Sequence, residues 1–140
     1  MGFKEMRFRM WDGYNMLLQS IEDWEPKDCN REKDYQESLY LKLHSDLGDI
    51  SVRKEHVING YKIDILVDEN YLIELKHNLN GKGKLQRLYG QLINYLDASN
   101  GNWDGTSSIF VVVCGECEPQ IKKDLKKYCE GHGIACIFKD

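Results

Sequence analysis

The stretch Lys62-Ile63-Asp64-Ile65-Leu66-Val67-Asp68-Glu69-Asn70-Tyr71-Leu72-Ile73-Glu74-Leu75-Lys76 decides how this chain reads. Two aliphatic runs flank the polar triplet Asp68-Glu69-Asn70, which predicts a hairpin of strands over 61–67 and 71–76. Charges sit where a sheet core should be apolar. Asp64 lies among Ile63, Ile65 and Leu66, while Glu74 and Lys76 alternate with Ile73 and Leu75. Period-two geometry points Glu74 and Lys76 to the same face. A three-residue turn pairs Val67 with Tyr71 and sets Asp64 opposite Glu74, with Cβ atoms roughly 4.5–5.5 Å apart. Two carboxylates that close in a half-buried setting repel unless something neutralises them. A divalent cation does so, and oxygen ligands suit Mg²⁺ or Mn²⁺. An amine at Lys76 would orient or deprotonate an attacking water and offset charge on a phosphate. Metal, water and cationic support are the parts of a hydrolytic phosphodiester site.

Working outward, Phe8, Trp11, Tyr14, Leu17 or Leu18, Ile21 and Trp24 recur at spacings of three and four, which predicts an amphipathic helix closed by Pro26. A polar link over 25–31 precedes a second helix over 32–47, with Leu39, Leu43 and Leu47 on one stripe and Gly48 as its stop. Ile50, Val52 and Val57-Ile58 predict a strand, and Asn59-Gly60 a tight turn. Residues 78–83 read as a glycine-containing loop. A helix over 84–96 turns Leu85, Leu88, Leu92 and Tyr95 or Leu96 inward. Residues 108–114 are apolar on both faces, as in a buried strand. A helix over 119–128 and a strand over 134–138 close the chain. The order α-α-β-β-β-α-β-α-β predicts an α/β fold whose last two strands pair in parallel.

The 140 residues form one expected domain, with an N-terminal helix and link at 1–31, a core region at 32–114 and a C-terminal helix and strand at 115–140. No apolar run approaches the ~20 residues of a membrane helix. No basic-then-apolar leader opens the chain, and five cysteines are an odd number, so a reduced, cytoplasmic protein with free thiols is expected. The net charge of −4 argues against coating nucleic acid through bulk positive charge. Its distribution is uneven: residues 75–96 hold no Asp or Glu but include Lys76, Lys82, Lys84 and Arg87.

Asp64, nine intervening residues and then Glu74-Leu75-Lys76 resembles the PD-(D/E)XK nuclease superfamily, the restriction-endonuclease-like group. Residues 32–114 fit that family's order of helix, three strands, helix and strand. Ile63 stands where the family pattern has proline. The resemblance implies a mixed sheet flanked by helices and a Mg²⁺- or Mn²⁺-dependent endo- or exodeoxyribonuclease. Asp64, Glu74 and the Leu75 carbonyl would hold the metal, Lys76 would activate water, and the product would end in a 5′-phosphate. A further acidic ligand from the preceding helix would be Glu37, with Glu32 as fallback. Gln91-Leu92-Ile93-Asn94-Tyr95 resembles the Gln-x-x-x-Tyr signature of some nuclease branches, which places Gln91 at the active site or the nucleic-acid backbone. Gln86 is a second candidate for that role.

The expected partner is DNA, with RNA open, contacted through Lys82, Lys84, Arg87, Gln86 and Tyr95. A homodimer is expected through the apolar first helix at Trp11, Tyr14 and Leu18, and no membrane partner. Two other classes remain. A catalytically silent nucleic-acid-binding or scaffold module would keep the fold and the Lys76 salt bridge. A small zinc or thiol protein would rest on Cys114, Cys117, Cys129 and His132, which spell Cys-x2-Cys-x11-Cys-x2-His. Against a low-pKa thiol, Glu116 and Glu118 flank the pair.

Overall fold

A computed structural model of the chain describes residues 11–58, 60–99 and 109–139. The aliphatic runs become strands β1 (Val52–Ile58), β2 (Tyr61–Val67), β3 (Tyr71–Leu79), β4 (Ile109–Cys117) and β5 (Ala135–Lys139). The three-and-four patterns become helices α1 (Trp11–Asp23), α2 (Glu32–Leu47), α3 (Lys82–Ser99) and α4 (Pro119–Gly131). Phe8 and the loop breakers at 100–105 lie outside the described residues.

The strands form one mixed sheet in the order β1-β2-β3-β4-β5. β1, β2 and β3 are antiparallel neighbours, whereas β3-β4 and β4-β5 are parallel. Each parallel pair is joined through a helix, as parallel crossovers require. The sheet separates two cores. α1 and α2 cover one face, burying Leu17, Ile21, Leu39 and Leu43 against Ile65, Ile73, Phe110 and Val112. α3 and α4 cover the other with Leu88, Leu92, Ile121 and Leu125 against Ile63, Leu72, Val111 and Val113. β4 is therefore apolar on both faces, as its sequence requires.

α2 begins where the Asp34 carboxylate accepts the backbone N–H groups of Asn30 (3.0 Å) and Arg31 (3.1 Å), and ends at Gly48 with φ 60°. α1 docks on α2 through Trp24 Nε1–H donating to Ser38 Oγ (3.0 Å) and the Ser20 hydroxyl donating to Asp46 (2.7 Å).

Three expectations need correction. Residues 78–83 are not all loop: β3 runs to Leu79 and α3 starts at Lys82. The cause is a clip between chain segments far apart in sequence. Asn78 Oδ1 accepts the Glu116 N–H (2.8 Å), Asn80 Oδ1 accepts the Glu118 N–H (2.9 Å), and Glu118 Oε1 accepts the Gly81 N–H (3.0 Å). These bonds extend β3 and β4 past a bulge between His77 and Leu79. Second, Tyr14 and Leu18 of the apolar first helix are half-buried rather than fully open, while the Trp11 side chain lies outside those described. Tyr14 and Leu18 pack against the core, and the Tyr14 ring lies 5.3 Å from that of Phe110. Third, the cysteine set is split. Cys114 is buried in the core under α1 and α2, Cys129 in the core under α3 and α4. A sheet stands between them, so they cannot share one tetrahedral zinc ion. Cys129 instead has the Cys136 thiol as its hydrogen-bond partner, and burial pushes Cys114 up to about 12, away from thiolate chemistry.

Candidate active site

The site lies in a fork. The β2–β3 ladder contains three pairs, Ile65↔Ile73, Leu66↔Leu72 and Val67↔Tyr71, so the turn sets the register that the sequence implies. The next pair, Asp64 with Glu74, is not made. The Leu75 N–H donates instead to Asp64 Oδ2 at 2.8 Å. On its other side Asp64 faces Glu55, and that pair is also missing between Lys54↔Ile65 and His56↔Ile63. Glu55 has φ 51° there. Alternation slips at the same point: Ile63 and Ile65, two residues apart, enter opposite cores. A charged side chain in a strand core thus opens the sheet around itself.

Glu32, at the start of α2, reaches into the fork. One carboxylate oxygen from each of Glu32, Asp64 and Glu74 lies within 4.8 Å of the others, and among the described residues this is the group able to hold a metal ion. The Leu75 carbonyl joins the same gap, because the N–H and C=O of one strand residue point to the same edge. Glu74 is 3% exposed. Its Oε2 lies 3.0 Å from Lys76 Nζ, and Glu32 Oε1 is 4.0 Å from the same ammonium. Its Oε1 is 2.9 Å from the Tyr95 hydroxyl, which is also 2.9 Å from the Lys62 carbonyl oxygen. Tyr95 has one phenolic proton for these two acceptors.

Electrostatics follow from crowding. Burial and then the charge of Glu74 push the Asp64 carboxyl up to about 7, against the opposing Leu75 N–H bond. Burial likewise raises Glu74, resisted by Lys76 and Tyr95. Burial alone would lower Lys76, but the charges of Glu74, Glu32 and Asp64 outweigh it and hold the ammonium above its ordinary value. The site therefore carries a surplus of negative charge that a cation would relieve. A second sign of incompleteness is the Gln91 carbonyl oxygen Oε1, buried and without a hydrogen-bond partner among the described residues. Three converging carboxylates, a backbone carbonyl and hard oxygen chemistry fit Mg²⁺ or Mn²⁺.

Two adjoining clefts meet at this point, of about 520 and 500 Å³. Both are lined by Glu32, Lys76, Gln91 and Asn94. The first continues past Tyr61 and Lys62 beside the β1–β2 turn, the second past His77, Lys84 and Arg87. His77 also stacks on Tyr35, with ring centroids 4.8 Å apart.

Several expected residues are elsewhere. Glu37 does not reach the cluster: its exposed carboxylate pairs with Lys54 of β1. It lies five residues after Glu32, about 140° around the helix, and so faces another way. Lys82 and Gln86 fall on the exposed side of α3, while Lys84, Arg87, Gln91 and Asn94 form its cleft-facing stripe. Tyr95 is buried and grips Glu74, so it is a positioning residue and not a surface contact. Sequence reading overlooked Tyr61, Lys62 and Asn94. Asn94 had a signal, its i+3 spacing from Gln91; Tyr61 and Lys62 had none. No protein-family model, curated protein or solved structure matches the chain.

Proposed function

We propose that this protein is a divalent-metal-dependent phosphodiesterase acting on nucleic acid, a nuclease with a restriction-endonuclease-like core. The observation that carries this reading is the fork itself: Glu32, Asp64 and Glu74 converge within 4.8 Å, with Lys76 Nζ 3.0 Å from Glu74. The order of helix, antiparallel strands, helix and parallel strand around that fork supports the family resemblance.

Glu32, Asp64, Glu74 and the Leu75 carbonyl would hold the ion. When bound, Mg²⁺ or Mn²⁺ supplies Lewis acidity toward a phosphoryl oxygen and neutralises the carboxylates. The Lys76 ammonium would orient a water whose oxygen attacks phosphorus in line; the bond from phosphorus to the leaving oxygen breaks, and solvent water carries the proton from the attacking water to that oxygen. Tyr95 fixes Glu74 against the Lys62 carbonyl. Gln91 directs its free oxygen to the water or substrate, and Lys84 and Arg87 hold flanking phosphates. A silent binding module of the same fold would explain the Lys76–Glu74 contact and the Leu75 N–H bond to Asp64, but it leaves the buried Gln91 Oε1 without a partner among the described residues.

The test is metal-dependent cutting of labelled oligonucleotides by Glu32→Gln beside Glu37→Gln. We expect Glu32→Gln to lose at least about tenfold in activity or metal affinity, the scale on which metal sites respond to altered partners, with Glu37→Gln near wild type. Equal effects of the two, or no metal-dependent cutting by wild type, would overturn the reading.

A further inference from the structure

Among the Phe, Tyr and Trp side chains described, Tyr61 is the exposed one, at 39% of its surface. It opens β2 just after the β1–β2 turn and lines the first cleft together with Lys62, Gln91 and Asn94. Its ring stacks on no other ring among the described residues. A partly exposed aromatic ring lining a polar cleft offers a surface for a flat, apolar group.

The carboxylates in that cleft are recessed. Glu74 is 3% exposed, and Lys76 keeps 22% of its side chain in contact with solvent. Residues from three places line the cleft around them: Glu32 and Lys33 at the start of α2, Tyr61 at the β1–β2 turn, and Gln91 and Asn94 of α3. Lys84 and Arg87, one helical turn apart, line the second cleft, which shares Glu32, Lys76, Gln91 and Asn94 with the first. The two joined clefts thus hold an aromatic ring, the metal-binding fork and a pair of cations.

We infer that the clefts take a single, unpaired nucleic-acid strand, with one base stacked on Tyr61 and the phosphates beyond the fork held by Lys84 and Arg87. This rests on the reading of the fork as a phosphodiesterase and names the form of its substrate. A duplex keeps its bases paired and stacked inside, so it has no free base face for a rim aromatic. An unpaired strand can turn a base onto the ring and pass its backbone down to the recessed carboxylates.

The experiment measures binding, apart from chemistry, by fluorescence anisotropy. The probes are a short end-labelled DNA strand, the same strand in RNA, and the DNA strand annealed to its complement. Binding is read in EDTA and again in Ca²⁺, for wild type, Tyr61→Ala and Tyr61→Phe. Wild type should bind a single strand more tightly than the duplex. Tyr61→Ala should weaken single-strand binding roughly 5- to 100-fold, the scale of one base–aromatic stack. Tyr61→Phe, which keeps the ring, should retain it, and duplex binding should not change in either variant. The DNA and RNA arms show which sugar is preferred. Equal wild-type affinity for single strand and duplex overturns the inference, as does unchanged single-strand affinity in Tyr61→Ala or no binding of either single strand. Cutting is assayed in parallel with Mg²⁺. Metal-dependent cutting without a role for Tyr61 leaves the phosphodiesterase reading intact, whereas Tyr61-dependent binding without cutting overturns that reading alone.

Discussion

Burial and the Glu74 charge push the Asp64 carboxyl from 3.8 up to about 7, so the folded protein holds a proton that the unfolded chain releases. Between those values the native state binds more protons than the unfolded state, and stability falls as pH rises. The metal-free protein should therefore lose melting temperature from about pH 4 to 7, and Asp64→Asn should flatten that decline. A wild-type curve parallel to that of Asp64→Asn across this window would contradict the assignment. Protons and cations compete for the same oxygens, so metal affinity should rise over the same range. Tyr95 acts one step further out. Tyr95→Phe removes the 2.9 Å bond to Glu74 but keeps the ring in the core. Metal affinity should drop about 10- to 100-fold with a stability cost of roughly 1 kcal/mol, measured by calorimetric titration and urea unfolding. The choice of Glu32 over Glu37 could not be made at this scale from sequence. Either carboxylate is reachable on a helix, and only the helix's rotation against the sheet decides.

At the scale of elements, the clip at the end of β3 is what aims α3 at the fork. Gly115 makes it possible: its φ is 77°, and a Cβ there would collide with the Asn78 side chain. Gly115→Ala should cost about 1–3 kcal/mol in urea unfolding, the range of local backbone strain. An unchanged unfolding midpoint would mean that the clip carries no weight. Much of this level was legible in the residues. The bounds of α2, the hairpin register Val67↔Tyr71 and the parallel pairing of β4 with β5 follow from periodicity and turn length. The extension of β3 was not, because Asn78 finds its partner at Glu116, 38 residues away. Nor was the opening at Asp64, since period two presumes a continuous ladder and says nothing of where a charge interrupts it.

For the whole molecule, a net charge of −4 conceals a division of labour. Three acids gather in the fork, while Lys62, Lys84 and Arg87 flank it along the two clefts. Such a layout would suit a polyanion approaching an acidic centre, because the cations would act on neighbouring phosphates while a divalent ion offset the carboxylates. No helix among the described residues is long and apolar enough to cross a membrane. The zinc-like cysteine spacing, a lesser alternative in the sequence, does not survive at this scale, because spacing along the chain carries no information about which side of a sheet each thiol enters. The most direct measurement is cleavage of plasmid and single-stranded DNA in Mg²⁺, Mn²⁺ or EDTA, with wild type beside Lys76→Ala and Asp64→Asn. Cutting that needs the metal and vanishes in both variants is the expected result. Cutting that persists in the variants or in EDTA would contradict the assignment of the fork as the reaction centre.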